Sequence, residues 1–209
     1  MILSFGAELH LLEELLRIQA AVERTIELAA QNTSIFLPSQ FRNEDNPRCH
    51  EATTGPEILE QTGGRIDAFV MGVGTGGTLM GVGRALKNRK IDAQIVAVEP
   101  DESAVMSGDA PGHHGIQGLA DGFVPDIIRV DEIDRIVRID TDSAIAMARR
   151  LAAEEGLFVG ISAGANVLAA QKVAADLGPG HTVVTVLPDR GERYLSLPAA
   201  RHATEWPTP

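Results

Sequence analysis

The chain has 209 residues, 44% of them hydrophobic, a formal charge of −11 and a pI near 4.9, so it can bury a sizeable core. The acidic balance excludes a nucleic-acid scaffold, which needs clustered Lys and Arg. No apolar run approaches a bilayer span and no secretory signal opens the chain, so no membrane partner is expected and the reading is cytoplasmic. The lone Cys49 excludes an internal disulfide and reads as a bystander thiol.

Residues 1–10 read as a short strand or strand end. From Leu11, apolar residues at Leu11, Leu15, Ile18, Val22, Ile26 and Ala29 trace one face of a helix that ends near Asn32. Ile35-Phe36-Leu37 reads as a short strand and Pro38 to Pro47 as a polar loop. A helix starts around Thr53-Thr54-Gly55-Pro56-Glu57, where a proline in the first turn is harmless, and ends at Gly63-Gly64.

Ala68-Phe69-Val70-Met71 is too short for a helix and is glycine-bounded, which predicts a strand buried on both faces. Gly72 to Thr78 (GVGTGGT) follows, then a helix from Leu79 through Lys87, then a strand at Gln94–Glu99. This β-α-β order predicts an α/β fold: an open, mostly parallel, doubly wound sheet with helices on both faces. Residues 101–130 read as a functional or disordered loop, whose adjacent His113 and His114 diverge and give no metal site. Arg135–Ile139 reads as a strand, and a helix capped by Asp140 or Thr141 runs to Gly156. Leu157–Val159 reads as another short strand, Gly160–Ala165 as a second small-residue turn, Asn166–Leu177 as its helix and Thr182–Leu187 as the last strand.

A glycine turn between strand and helix presents backbone N–H groups and the positive end of a helix dipole to an anion. Gly72, Gly74 and Gly77 satisfy the dinucleotide pattern, with Glu99 where a ribose-binding acid would stand. Thr75 and Thr78 add hydroxyls that suit a terminal phosphate monoester better. A turn that merely lets strand pack on helix is the third reading. With Ser162 in the second turn, both turns open at the C-terminal ends of strands, where a flat heterocycle with a phosphate arm would use a cup at one end and a hydroxyl at the other.

Asn46-Pro47, TTGPEI at 53–58, GVGTGGT at 72–78, GIQG at 115–118 with a later Gly122-Phe123, GISAGA at 160–165 and LPDRGERYL at 187–195 occur in one order. Together they resemble the cysteine synthase (O-acetylserine sulfhydrylase) family from about Phe36 to Leu197, with cystathionine β-synthase the relative nearest in pattern. The resemblance implies a pyridoxal-phosphate protein of fold type II, the tryptophan-synthase-β type. In that reading Gly74, Thr75, Gly76, Gly77 and Thr78 hold the cofactor phosphate. Ser162 bonds the pyridine nitrogen, Gly118 belongs to the loop over the cofactor, and Gln40 lies near the substrate carboxylate. The implied reaction replaces the activated hydroxyl of a small amino-acid substrate, an O-activated serine, with sulfide to give cysteine. The implied assembly is a homo-oligomer, a dimer in the family.

Departures shape the expectation. The family attaches the cofactor to a lysine in an N-terminal domain, upstream of the segment where this chain begins; the lysines here are Lys87, Lys90 and Lys172, and none stands in that motif. No catalytic residue is therefore assigned, and the chain is expected to be a truncated, inactive part of a cysteine synthase. The alternatives are a non-catalytic module that binds a phosphorylated ligand and, behind it, a dinucleotide-binding Rossmann domain. Residues 1–40 are expected to be a remnant of the smaller N-terminal domain, 41–198 the phosphate-binding domain and 199–209 a tail. Ala120, where many relatives carry glycine, Asp189-Arg190, where a serine is common, and residues 10–24 also diverge.

Overall fold

The computed structural model describes residues 2–11 and 18–195. Contacts divide the chain into two units, 1–39 and 40–209. In the first, Leu3–Phe5 form a 3-10 turn closed by Gly6 at φ 78°, not the expected strand, and α1 spans Ile18–Gln31. Of the predicted helix, Leu11 is not helical, and residues 12–17, with Leu15, lie outside the described residues. Ile35–Leu37 form no strand: Ile35 N–H turns back to the Asn32 carbonyl and Phe36 is 82% exposed, so no ladder partner stabilises an extended segment.

The second unit is a four-stranded, all-parallel sheet in the order β3-β2-β1-β4. The strands are β1 (Ala68–Gly72), β2 (Gln94–Pro100), β3 (Arg135–Ile139) and β4 (Val183–Thr185). Val70 pairs with Val96 on one side and Thr185 on the other. All of β1 is buried, as a strand covered on both faces must be. Alternation divides its side chains between two cores. Phe69 and Met71 join α3 (Thr54–Thr62) and α4 (Gly77–Asn88), while Ala68 and Val70 join α5 (Thr141–Glu155) and α6 (Ile161–Leu177). Asp67 locks the β1–β4 edge: its N–H donates to the Thr182 carbonyl at 2.8 Å and its carboxylate accepts the Thr182 N–H at 2.6 Å.

Three differences from the expected elements have local causes. The predicted loop at 38–47 becomes helix α2 (Asp45–Ala52), because Pro47 falls in its first turn, where a missing N–H loses no bond, and the Asn43 side chain accepts the Asp45 N–H. Residues 157–159 form only a single antiparallel bridge, Val159 to Arg190, so α5 leads into α6 with no strand between. The second glycine turn is itself helix: α6 starts at Ile161, not Asn166. Its small residues answer to packing, since a methyl group on Gly164 would lie 2.1 Å from the Ala144 carbonyl oxygen of α5.

Candidate functional site

The N-termini of α4 and α6 both open at the C-terminal edge of the sheet. At α4 the chain leaves β1 through Val73 and Gly74, passes Gly76 at φ 88°, and enters the helix at Gly77 with no side-chain cap. Among the described residues, no acceptor meets the N–H groups of Gly74, Thr75 or Gly76. A helix start with uncapped donors and a dipole of uncompensated sign is an anion site in waiting.

Residues distant in sequence set the two threonines. The Asn46 amide nitrogen lies 2.9 Å from Thr75 Oγ1, and the Gly77 N–H approaches the same oxygen at 3.3 Å. Thr78 Oγ1 lies 3.2 Å from His50 Nε2, whose Nδ1 meets Thr54 Oγ1 at 2.9 Å. Burial lowers the His50 pKa from its ordinary value, so the ring behind the cup is neutral at pH 7.

Gly118, at φ 91°, closes the cup from another side: its carbonyl oxygen would lie 2.4 Å from a methyl group on Gly74, so the two backbones touch where only glycine fits. The Ala120 N–H donates to the Val73 carbonyl at 2.9 Å and anchors the loop, and Ala120 itself sits at φ 46°. The carbonyl of Ala120 accepts from His114 Nε2 at 3.1 Å, which places the ring hydrogen on that nitrogen. Asp121, next along, has its carboxyl pushed up by burial and partly restored by His114.

Ser162 is 5% exposed in the first turn of α6, and among the described residues its hydroxyl has no side-chain partner. One helical turn on, Asn166 accepts the Gly72 N–H at 2.8 Å and so holds α6 against the end of β1. The structure thus gathers Gly74, Thr75, Gly76, Gly77, Thr78, Gly118 and Ser162 at one end of the sheet. Gln40 joins them through its backbone, whose carbonyl accepts from Asn46 at 2.9 Å, while its side chain is exposed.

Glu99 is not in this cleft. It is fully buried and accepts from the Met106 N–H at 2.9 Å and the Ser107 N–H at 3.1 Å, holding the start of the long loop. A ribose-binding role is thereby overturned. The lysines also lie elsewhere. Lys87 is ten residues beyond Gly77, about 15 Å along the helix. Lys172 is the same number beyond Ser162 on α6, again about 15 Å away, with Nζ near the Arg138 carbonyl. A cleft of about 590 Å³ along α4 is lined by Lys87, Lys90 and Asp134 and includes no residue of the cup. Among the described residues no His, Cys, Asp and Glu cluster suits a metal, and no helix is long and apolar enough to cross a membrane.

A parallel α/β sheet with a threonine-lined helix terminus at one strand end and a serine at a second helix terminus defines the class of α/β protein that presents paired helix N-termini to an anionic ligand. The sequence pattern of the family described as "Pyridoxal-phosphate dependent enzyme" matches residues 1–189, and the chain belongs to that family, whose cofactor is pyridoxal phosphate. It is 49% identical over 196 residues to the cysteine synthase of Staphylococcus aureus (strain N315), covering 93% of this chain and 63% of that protein. Cysteine synthase from Entamoeba histolytica superposes with a TM-score of 0.89 at 41% identity, over 96% of this chain and 60% of that one. O-ureido-L-serine synthase superposes with a TM-score of 0.89 at 41% identity, over 98% and 65%. The chain thus spans 63% of the length of the curated relatives it matches.

Proposed function

We propose that this chain is the cofactor-holding part of a cysteine synthase-type enzyme, the whole of which replaces the β-substituent of an O-activated serine with sulfide to give cysteine. The observation that carries the reading is the pair of hydroxyls, Thr75 and Thr78, at an α4 terminus whose cap residue, Gly76, has no side chain. Pyridoxal phosphate, when bound, supplies a ring that takes up the electron pair released at a substrate α-carbon. The chain's own residues bind and orient it. Gly74 to Thr78 offer backbone donors and hydroxyls to the phosphate, and Ser162 offers a neutral hydroxyl to the ring nitrogen. The loop through Gly118 covers the cup and excludes water, and Gln40 stands ready for a substrate carboxylate.

We further propose that residues 1–40 belong to the smaller domain of the whole enzyme and 41–198 to the cofactor domain. Lys87, Lys90 and Lys172 open away from the cup, which supports reversible, non-covalent binding of the cofactor and no turnover by this chain alone. Exposed Phe5, Leu11, Ile18 and Phe36 support self-association. Calorimetric titration with pyridoxal phosphate tests the reading: binding that Thr75→Ala or Thr78→Ala weakens by about tenfold or more supports it, and absence of binding by the parent chain overturns it. Borohydride treatment before intact-mass analysis tests the second part, because a covalent adduct on any lysine would refute reversible binding.

A further inference from the structure

We propose that Asn46 is the positioning residue that commits the Thr75 hydroxyl to donate into the cup and so selects for a phosphate monoester. The inference rests on reading Gly74 to Thr78 as a phosphate site and extends it to a side chain outside the cup.

Asn46 stands in the first turn of α2 and is remote in sequence from the cup. Its amide nitrogen meets two oxygens, the Gln40 backbone carbonyl at 2.9 Å and Thr75 Oγ1 at 2.9 Å. A backbone carbonyl can only accept, so the contact with Gln40 fixes which end of the amide is nitrogen. An amide nitrogen does not accept, so Thr75 Oγ1 is the acceptor in the second contact. The Gly77 N–H reaches the same oxygen at 3.3 Å. Both lone pairs of the hydroxyl are then engaged, and the one remaining direction carries its own hydrogen.

Thr75 is therefore a one-way donor. It suits a ligand group that only accepts, as a phosphate oxygen does, and offers nothing to a group that must donate. Thr78 differs, because the tautomer of His50 decides whether its hydroxyl donates inward or outward. The Asn46 side chain packs on the helix start, its carbonyl oxygen 1.9 Å from where a methyl group on Gly77 would stand, so only glycine at 77 leaves room for it there. Aspartate at 46 would have the same shape and the opposite polarity: it would accept from Thr75 and draw the hydroxyl hydrogen away from the ligand.

The test is a double-mutant cycle read by calorimetric titration with pyridoxal phosphate and, separately, with unphosphorylated pyridoxal. The four chains are the parent, Asn46→Asp, Thr75→Val and the double variant. Asn46→Asp is expected to weaken pyridoxal phosphate binding by about ten- to a hundredfold, the range of one hydrogen bond to a charged group. Binding of pyridoxal is expected to be unchanged. In the Thr75→Val background the same substitution is expected to lose most of its effect. Loss of equal size in both backgrounds would mean plain charge repulsion and overturn the proposal, as would an Asn46→Asp chain within twofold of the parent. A parent that binds pyridoxal phosphate no better than pyridoxal overturns the phosphate reading itself, and the inference with it. If Asn46→Asp does not fold, Asn46→Ala carries the cycle, with a coupling of about threefold or more expected, since the freed hydroxyl can then rotate, and no coupling overturning the proposal.

Discussion

The Asn166 side-chain oxygen accepts the Gly72 N–H at 2.8 Å, joining α6 to the end of β1 across 94 residues of sequence. The amide nitrogen of the same side chain donates to the Val186 carbonyl at 2.8 Å. One fully buried residue thus holds together a central strand, the helix that presents Ser162 and the chain leaving β4.

Replacing Asn166 with leucine would leave the buried Gly72 N–H and the half-buried Val186 carbonyl without this partner, at about 1–3 kcal/mol for a buried group. Urea denaturation of Asn166→Leu is expected to show a loss of about 3 kcal/mol. A loss under about 1 kcal/mol would mean that water reaches both groups and that Asn166 does not hold the site together.

Ala120 holds φ 46°, in the left-handed region that side chains other than glycine resist. Ala120→Gly relieves that strain and is expected to stabilise the chain by about 1 kcal/mol, a rise of about 2–4 °C in Tm for a chain of this size. An unchanged or lower Tm would show that the chain entropy added by glycine outweighs the strain removed.

Tyr194 is the only tyrosine in the chain. Its hydroxyl donates to Asp189 Oδ2, and burial, then this bond, then the Asp189 charge raise its pKa to about 12. Its absorbance near 295 nm should thus stay that of the neutral phenol at pH 11. Asp189→Asn removes the charge while burial persists, so the midpoint should move part of the way back toward 10. A parent chain already ionised at pH 11 would contradict the contact.

Because burial lowers the pKa of His50 in the fold, the unfolded chain binds a proton there that the folded chain does not between the folded value and the ordinary 6.5. The stability His50 contributes is fully present above about pH 6.5 and is lost as pH falls through the window below it. His50→Gln should flatten that part of the stability profile, measured as the urea midpoint from pH 5 to 8. An identical slope in both chains would assign the dependence to other groups.

The strand, glycine turn and helix around Gly72 to Thr78 were legible because a short apolar run bounded by glycine has few other solutions. Small residues misled at 160–165. They signal a turn when backbone must bend and a helix crossing when backbones must touch, and Gly164 against Ala144 is the second case. Glu99 misled for a similar reason, since an acid ending a strand can face a ligand or hold a loop, and here it holds Met106 and Ser107. Asn46, His50 and Asn166 were illegible as site residues because their partners lie 29, 28 and 94 residues away, beyond any local pattern.

The clamp between Asp67 and Thr182 joins residues 115 positions apart, so β4 reaches its place beside β1 only after nearly all of the sheet has been synthesised. At the usual pace of translation, about 5–20 residues per second, that edge of β1 waits roughly 6 to 23 s for its neighbour on the ribosome. Over that interval an apolar strand stands with one side of its backbone unpaired, which makes this edge the place where folding of the nascent chain competes with aggregation.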